Sequence, residues 1–333
     1  MGLFDGHVAI ITGSGQGIGF ELAKWMANEG CKIVTNNRKP GSSLQTHDGK
    51  VVKLLPEDEA RIAAIIGDAE TAAKAINDAG GEAIPVYASV NTPEGCKKLV
   101  DAAIEKWGRI DILINNAAST WTGNIKDMTP EQWDVCIDSK LNGTFYLMYY
   151  ALPHMIEQHY GRIVNVSSQG FYGLEGMAAY SAACCGIWAF TKAAAQDLID
   201  YNITVNAYTP LAATRSWFNM LAEYREEGID PEDIEEGSPD GMKTAPDWMV
   251  PAIAYLASEE FTKTGIMCKI EAKGDLALYT DPEEYNNCGI DLVERKSAYT
   301  FDELRVLFDD EHLLKDVWTR ETTLAVTKSS YDD

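Results

Sequence analysis

Short, almost wholly apolar runs alternate along the chain with longer segments in which apolar residues recur every three or four positions. HVAIITG (7–13), CKIVTN (31–36), EAIPVYASV (82–90), RIDILINNAA (109–118), GRIVNVSS (161–168) and ITVNAYTP (203–210) read as strands. GIGFELAKWMANEG (17–30), DAETAAKAINDAGG (68–81), TPEGCKKLVDAAIEKWG (92–108), one long segment over 129–159 and another over 177–200 read as helices. Strands that are apolar throughout, and not only at every second position, are covered on both faces, and the intervening helices supply the cover. The pattern predicts an α/β fold, a doubly wound parallel sheet, as a single domain over residues 1–275. Two stretches interrupt the rhythm. Residues 38–67 read as an insertion, a Gly/Ser/Lys-rich loop and then an amphipathic segment. Residues 211–245 read as a lid over a substrate, apolar in SWFNMLAEY and acidic in GIDPEDIEEGSPDG. The remaining 276–333 are too few to build a strong core alone. They read as a helix-bearing C-terminal extension packed on the domain or on a partner subunit.

The first strand runs into Thr12-Gly13-Ser14-Gly15-Gln16-Gly17-Ile18-Gly19, and a helix opens within that turn. Glycines at 13, 17 and 19 permit a sharp turn and let backbone N–H groups approach a pyrophosphate at the helix N-terminus. Gly13, Ser14, Gln16, Gly17, Ile18 and Gly19 are therefore the candidate contacts of a Rossmann-type nucleotide cradle. Composition narrows the partners. Among 333 residues, 51 acidic against 28 basic side chains give a formal charge of −23. That argues against nucleic acid, which needs clustered cations to replace its counterions. No apolar run approaches the ~18–20 residues of a membrane span. Seven cysteines without a CxxC pair, and no signal segment at the start, read as reduced thiols in a cytoplasmic protein. His154 and His159 do not share a helical face, and the five histidines show no metal-ligand spacing, so no metal is expected.

Four motifs in order, TGSGQGIG, Asn115-Asn116-Ala117-Ala118, Asn165-Val166-Ser167-Ser168 and Tyr180-Ser181-Ala182-Ala183, resemble the short-chain dehydrogenase/reductase (SDR) family over roughly residues 5–275. Within it, GFYG before the tyrosine and the long insert after the second strand resemble the (3R)-hydroxyacyl-CoA dehydrogenase part of multifunctional enzymes type 2. The resemblance implies NAD or NADP, a small-molecule substrate, and dimers or tetramers assembled through the helices at 129–159 and 177–200. It adds Asn37, Arg38, Ser89, Val90, Asn116, Ala117, Ala118, Tyr180, Pro210 and Leu211 as cofactor contacts. NAD-specific members usually end the second strand with an acid, where this chain has Asn37 followed by Arg38 and Lys39. An amide can still bond a ribose hydroxyl, and the cations can take a 2′-phosphate. Both cofactors stay open, with NADP ahead. Ala88 stands where the family commonly faces the adenine with an acid.

The resemblance makes Tyr180 the proton-transferring tyrosine and assigns the orienting serine, thirteen residues earlier, to Ser167. The family's lysine, four residues after the tyrosine, is here Cys184. Its charge normally draws the tyrosine pKa from ~10 towards neutrality, and three units ask for roughly 4 kcal/mol that a neutral thiol cannot supply. In Lys140-Leu141-Asn142-Gly143-Thr144-Phe145, a lysine occupies the place of a family asparagine. Lys140 is either a relocated cation approaching Tyr180 from the neighbouring helix, or a side chain in solvent or paired with Asp138. Cys184 and Cys185 read as small apolar residues, because adjacent helical cysteines do not meet disulfide geometry. Arg215 is a candidate for an anionic group on the substrate. Trp217, Phe218 and Met220 suit an apolar lid or packing at an interface. Two functions stay open. One is an NAD(P)-dependent oxidoreductase of a hydrophobic or acyl-CoA-type hydroxyl or carbonyl, with an atypical site. The other is a non-catalytic subunit paired with an active paralogue, so that either a homo-oligomer or a hetero-oligomer is expected.

Overall fold

The computed structural model describes residues 2–42, 56, 59–60, 67–226, 228, 245–270, 276–279 and 298–309. Most of the 38–67 insertion, the acidic half of 211–245 and much of 276–333 lie outside the described residues. The strands are β1 (Val8–Ile11), β2 (Lys32–Asn37), β3 (Glu82–Tyr87), β4 (Ile112–Asn115), β5 (Gly161–Val166), β6 (Ile203–Pro210), β7 (Met267–Ile270) and β8 (Leu276–Tyr279). The helices are α1 (Gly17–Asn28), α2 (Ala69–Asp78), α3 (Pro93–Trp107), α4 (Pro130–Cys136), α5 (Gly143–Gln158), α6 (Ala178–Leu198), α7 (Arg215–Glu226), α8 (Val250–Leu256) and α9 (Phe301–Asp309).

One sheet holds all eight strands in the order β3-β2-β1-β4-β5-β6-β7-β8. The first seven run parallel, and β8 pairs antiparallel to β7 with Met267 opposite Tyr279. β1 alternates between two cores: Val8 and Ile10 enter one, Ala9 and Ile11 the other. That is the two-residue period of a strand with helices on both faces. One layer packs Leu99 and Val100 of α3, Leu147 and Met155 of α5 and Ala195 of α6 against the sheet. The opposite layer packs Leu22 and Met26 of α1, Ile253 of α8, and Leu304 and Phe308 of α9.

Local chemistry sets the helix ends. The Asp68 carboxylate accepts from the Glu70 and Thr71 amides, and Thr71 Oγ1 accepts from the Asp68 amide, closing a capping box on α2. Thr92 caps α3 ahead of Pro93, and Gly108 ends it in the left-handed region at φ 74°. The 129–159 segment, read from the sequence as one helix, is interrupted. Between α4 and α5, residues Ile137–Asn142 form a π-helical turn. The C-terminal elements pack on the body. Phe301 stacks on Trp25 with centroids 5.2 Å apart, and Phe308 meets Tyr255 and Phe261 at 5.1 and 5.3 Å.

The sheet order reverses between β1 and β4. Loops leaving their carboxyl ends therefore diverge and open a crevice, the position at which doubly wound sheets bind ligands.

Candidate active site

The glycine turn lies on one side of this crevice. Gly13 and Gly17 have φ of 65° and 55°, where an L side chain is strained. A Cβ on Gly19 would stand 2.6 Å from Asn116 Nδ2 and 2.7 Å from the Gly13 carbonyl, so glycine is required there. Ser14 is fully buried and turned inward: its Oγ donates to the Ile11 carbonyl at 2.7 Å and accepts from the Asn36 amide at 2.9 Å. Gln16 sits at the N-cap of α1 without a side-chain cap bond. Its Oε1 and Asn37 Oδ1 are buried acceptors without a hydrogen-bond partner among the described residues. A bound dinucleotide, with its ribose hydroxyls and N–H groups, fits two orphaned acceptors beside a turn that only glycine can form.

Sequence reasoning missed Asn36. Its Nδ2 donates to the Val86 and Ala88 carbonyls at 3.1 and 3.0 Å, and its Oδ1 accepts from the Gly13 amide at 3.4 Å. It ties β2 and β3 to the turn, while Asn37, next along the strand, lies against Gly15. Ala88 and Val90 are buried, and Ser89 Oγ accepts from the Asn91 amide at 3.3 Å. Across the crevice, the Asn116 and Ala117 amides both donate to Thr12 Oγ1 at 3.0 and 2.9 Å, and Ala118 follows in the same loop.

The carboxyl end of β6 completes the rim through Pro210 and buried Leu211. A Cβ on Gly17 would lie 3.6 Å from the Thr214 methyl, so this loop comes over the glycine turn. Arg215 opens α7 beside it. Burial, and then the neighbouring Arg38 charge, lower the Arg215 pKa to about 10, and burial lowers Arg38 as well. The structure thus gathers Arg215 with Arg38 at the nucleotide side. Trp217 and Phe218 are buried, and the Met220 side chain is outside the described residues.

Deeper in the crevice stands Tyr180, in the first turn of α6. Its hydroxyl bonds the side chains of Ser168 and Cys184. Burial first, and then Cys184, hold the phenol well above its ordinary pKa, so it is a protonated donor at neutral pH. Ser167 does not face it. Ser167 is 1% exposed and its Oγ donates to the Cys184 carbonyl at 3.1 Å. Successive residues at a strand end point to opposite sides, and the one aimed at the tyrosine is Ser168. The spacing of thirteen picked its neighbour.

Lys140 lies in the π turn, 1% exposed, with Nζ 5.1 Å from the centroid of the Tyr180 ring. It donates to the Ser167 carbonyl at 3.4 Å. Neither solvent nor Asp138 takes it, since the Asp138 carboxylate accepts from Asn142 Nδ2 at 2.7 Å. No carboxylate pairs with it among the described residues, and burial lowers its pKa, with the Cys184 and Cys136 thiols acting the other way. Cys184 is fully buried beneath the tyrosine, while Cys185 is exposed. Among the described residues no group of histidines, cysteines or carboxylates is arranged to hold a metal, and no helix is long and apolar enough to cross a membrane.

The family model described as short chain dehydrogenase matches residues 49–223, just over half the chain. Peroxisomal multifunctional enzyme type 2 of Drosophila melanogaster is 30% identical over 98% of this chain and 46% of its own length. The 3-oxoacyl-[acyl-carrier-protein] reductase of Synechocystis is 31% identical over 76% of this chain and 90% of its own. The chain spans about a quarter of the length of the fungal peroxisomal hydratase-dehydrogenase-epimerases it also matches. Among solved structures, NAD+-bound xylitol dehydrogenase superposes with a TM-score of 0.67 at 25% identity, covering 81% of this chain and 99% of the other.

Proposed function

The chain belongs to the short-chain dehydrogenase family, and from that premise we propose an NAD(P)-dependent oxidoreductase that interconverts a hydroxyl and a carbonyl on an acyl-thioester substrate. The observation that carries this reading is the Lys140 ammonium over the Tyr180 ring, in a chain whose usual lysine position is Cys184. A cation facing a desolvated aromatic ring is favourable by about 2 kcal/mol, and the attraction grows when the phenol loses its proton.

In the reducing direction, Ser168 and Tyr180 donate hydrogen bonds to the substrate carbonyl oxygen. A bound nicotinamide would supply the hydride that the carbonyl carbon takes up. Tyr180 passes its proton to the oxygen, and the tyrosinate left behind is stabilised by Lys140 until solvent reprotonates it. Asn37 and the turn over Gly13–Gly19 would hold the adenosine and pyrophosphate. Arg38 and Arg215, two partly desolvated cations near enough for one to lower the other's pKa, support a 2′-phosphate and hence NADP. The acyl-thioester class rests on the names of the 3-oxoacyl-[acyl-carrier-protein] reductase and of a substituted succinyl-CoA dehydrogenase subunit among the relatives.

Assembly is proposed through α5 and α6, where Phe145 and Tyr149 expose large aromatic faces and Phe145 meets Phe190. The (2S)-[(R)-hydroxy(phenyl)methyl]succinyl-CoA dehydrogenase subunit BbsD of Thauera aromatica is also a relative. As a protein named for one subunit of an enzyme, it supports a hetero-oligomer with a paralogue as the alternative to a homo-oligomer. Reduced thiols support the cytoplasm as location, whereas several relatives are named peroxisomal. Imaging of the tagged protein separates the two.

The test is calorimetric binding of NAD+, NADH, NADP+ and NADPH to the purified chain, followed by turnover of 3-oxoacyl and 3-hydroxyacyl thioesters by wild type and Lys140→Met. Micromolar NADPH binding and a kcat reduced about 10²–10³-fold in the variant are expected, in the range lost with one preorganised electrostatic group. Unchanged turnover in K140M would remove Lys140 from the mechanism. No binding of any dinucleotide at millimolar concentration would remove the stand-alone enzyme.

A further inference from the structure

One fully buried polar group has no part in the chemistry above. Tyr208, on β6 opposite Val166 of β5, is 0% exposed, and its hydroxyl donates to Asn116 Oδ1 at 2.9 Å. β6 is separated from β4 by a whole strand, so the ring spans β5 to reach the loop after β4. The other end of the same amide, Asn116 Nδ2, donates to the Thr12 carbonyl at 2.9 Å, and the Asn116 amide N–H donates to Thr12 Oγ1 at 3.0 Å. This side chain is the floor of the glycine turn. A Cβ on Gly13 would lie 3.3 Å, and one on Gly19 2.6 Å, from Asn116 Nδ2.

An amide bonded at one end only can swing about its last torsion, and its oxygen can turn towards water. Bonded at both ends it is fixed, because reversing it would set an oxygen against the Thr12 carbonyl. A buried donor with one acceptor in reach is a strong orienting device, since breaking the bond strands both partners. The Tyr208 backbone contributes too: its carbonyl accepts from the Ser167 amide at 2.7 Å. One residue therefore grips the nucleotide side through its hydroxyl and the base of the serine pair through its carbonyl.

We propose that Tyr208 is a positioning residue that sets dinucleotide affinity by holding the Asn116 amide beneath the glycine turn. The proposal rests on the nucleotide-binding reading above. Burial raises the Tyr208 pKa far out of the working range, so the hydroxyl remains a donor throughout.

Tyr208→Phe keeps the ring and its packing and deletes only the donor. The dinucleotide Kd, read by quenching of protein fluorescence, and the KM for the same dinucleotide are expected to rise at least fivefold. The kcat at saturating dinucleotide is expected to change less than twofold. Asn116→Ala should show the same loss, and the double variant should bind no more weakly than Asn116→Ala alone. A lowered melting temperature with unchanged Kd would reduce Tyr208 to packing and overturn the proposal, as would additive losses in the double variant. Wild type that binds no dinucleotide would instead overturn the nucleotide reading itself, before any variant is compared.

Discussion

Lys140 shows at a single residue how activity and stability pull apart. A buried ammonium with no carboxylate beside it among the described residues costs folding free energy, and that cost is visible in its lowered pKa. The unfolded chain binds this proton more tightly than the folded one. The cost is therefore fully present below the folded pKa and fades as pH rises towards the unfolded value of 10.5. Catalysis runs the opposite way, because the ammonium that steadies the tyrosinate is lost over the same alkaline window. Wild type should accordingly gain stability and lose turnover as pH climbs through the lowered lysine pKa. Lys140→Met, similar in volume and uncharged, should melt higher than wild type near neutral pH by about 1–3 kcal/mol and show no alkaline gain. Calorimetric melting of both proteins between pH 7 and 10 checks the sign. A variant that melts lower than wild type throughout would mean that Lys140 is stabilising where it lies.

The elements explain both what the sequence discloses and what it hides. Parallel strands are legible because each is buried on both faces, so HVAIITG and GRIVNVSS stand out as unbroken apolar runs. The π turn at Ile137–Asn142 is not, because one extra residue in a helical turn changes neither composition nor apolar period enough to be seen. Yet it places Lys140: each residue advances a helix by about 100°, so an added residue re-aims everything before it, and such bulges favour functional sites. The serine pair fails for a related reason. Counting from Tyr180 fixes a distance along the chain, whereas the alternation at the end of β5 decides which hydroxyl faces the tyrosine. Ser168→Ala should lower kcat about 10²–10³-fold. Ser167→Ala should cost about 1 kcal/mol of stability through its lost bond to the Cys184 carbonyl and leave kcat within about threefold. Reversal of that order in steady-state assays would restore Ser167 to the reacting oxygen. The short β7 and the antiparallel β8 are hidden for another reason: Lys269 breaks the apolar run of β7, and no helical pattern separates β8 from it to mark a strand–helix–strand unit.

At the scale of the whole molecule, the charge of −23 decides little about the site, where Lys140 stands over Tyr180 and Arg38 and Arg215 stand near the glycine turn. What distinguishes the architecture is the far end of the chain. α9 seats Leu304 and Phe308 in the core beside α8, and the Arg305 guanidinium pairs with Glu260 on the surface above. Phe308→Ala should cost about 3–5 kcal/mol, the range for emptying a buried aromatic position. It should lower the melting temperature by several degrees while leaving dinucleotide Kd within twofold, because the crevice opens at the opposite strand ends. A change in Kd matching the change in stability would show that α9 reaches the site. The Trp25–Phe301 stack has a consequence for synthesis. The apolar flank of α1 is among the first surfaces to leave the ribosome, and its cover is among the last of the described segments to follow. Phe4 and α8 meet α1 earlier, but the ring face of Trp25 that Phe301 covers stays open until that residue emerges, and closing it is a contact of very long range. The last face of Trp25 is therefore ordered only by chain made about 270 residues after it.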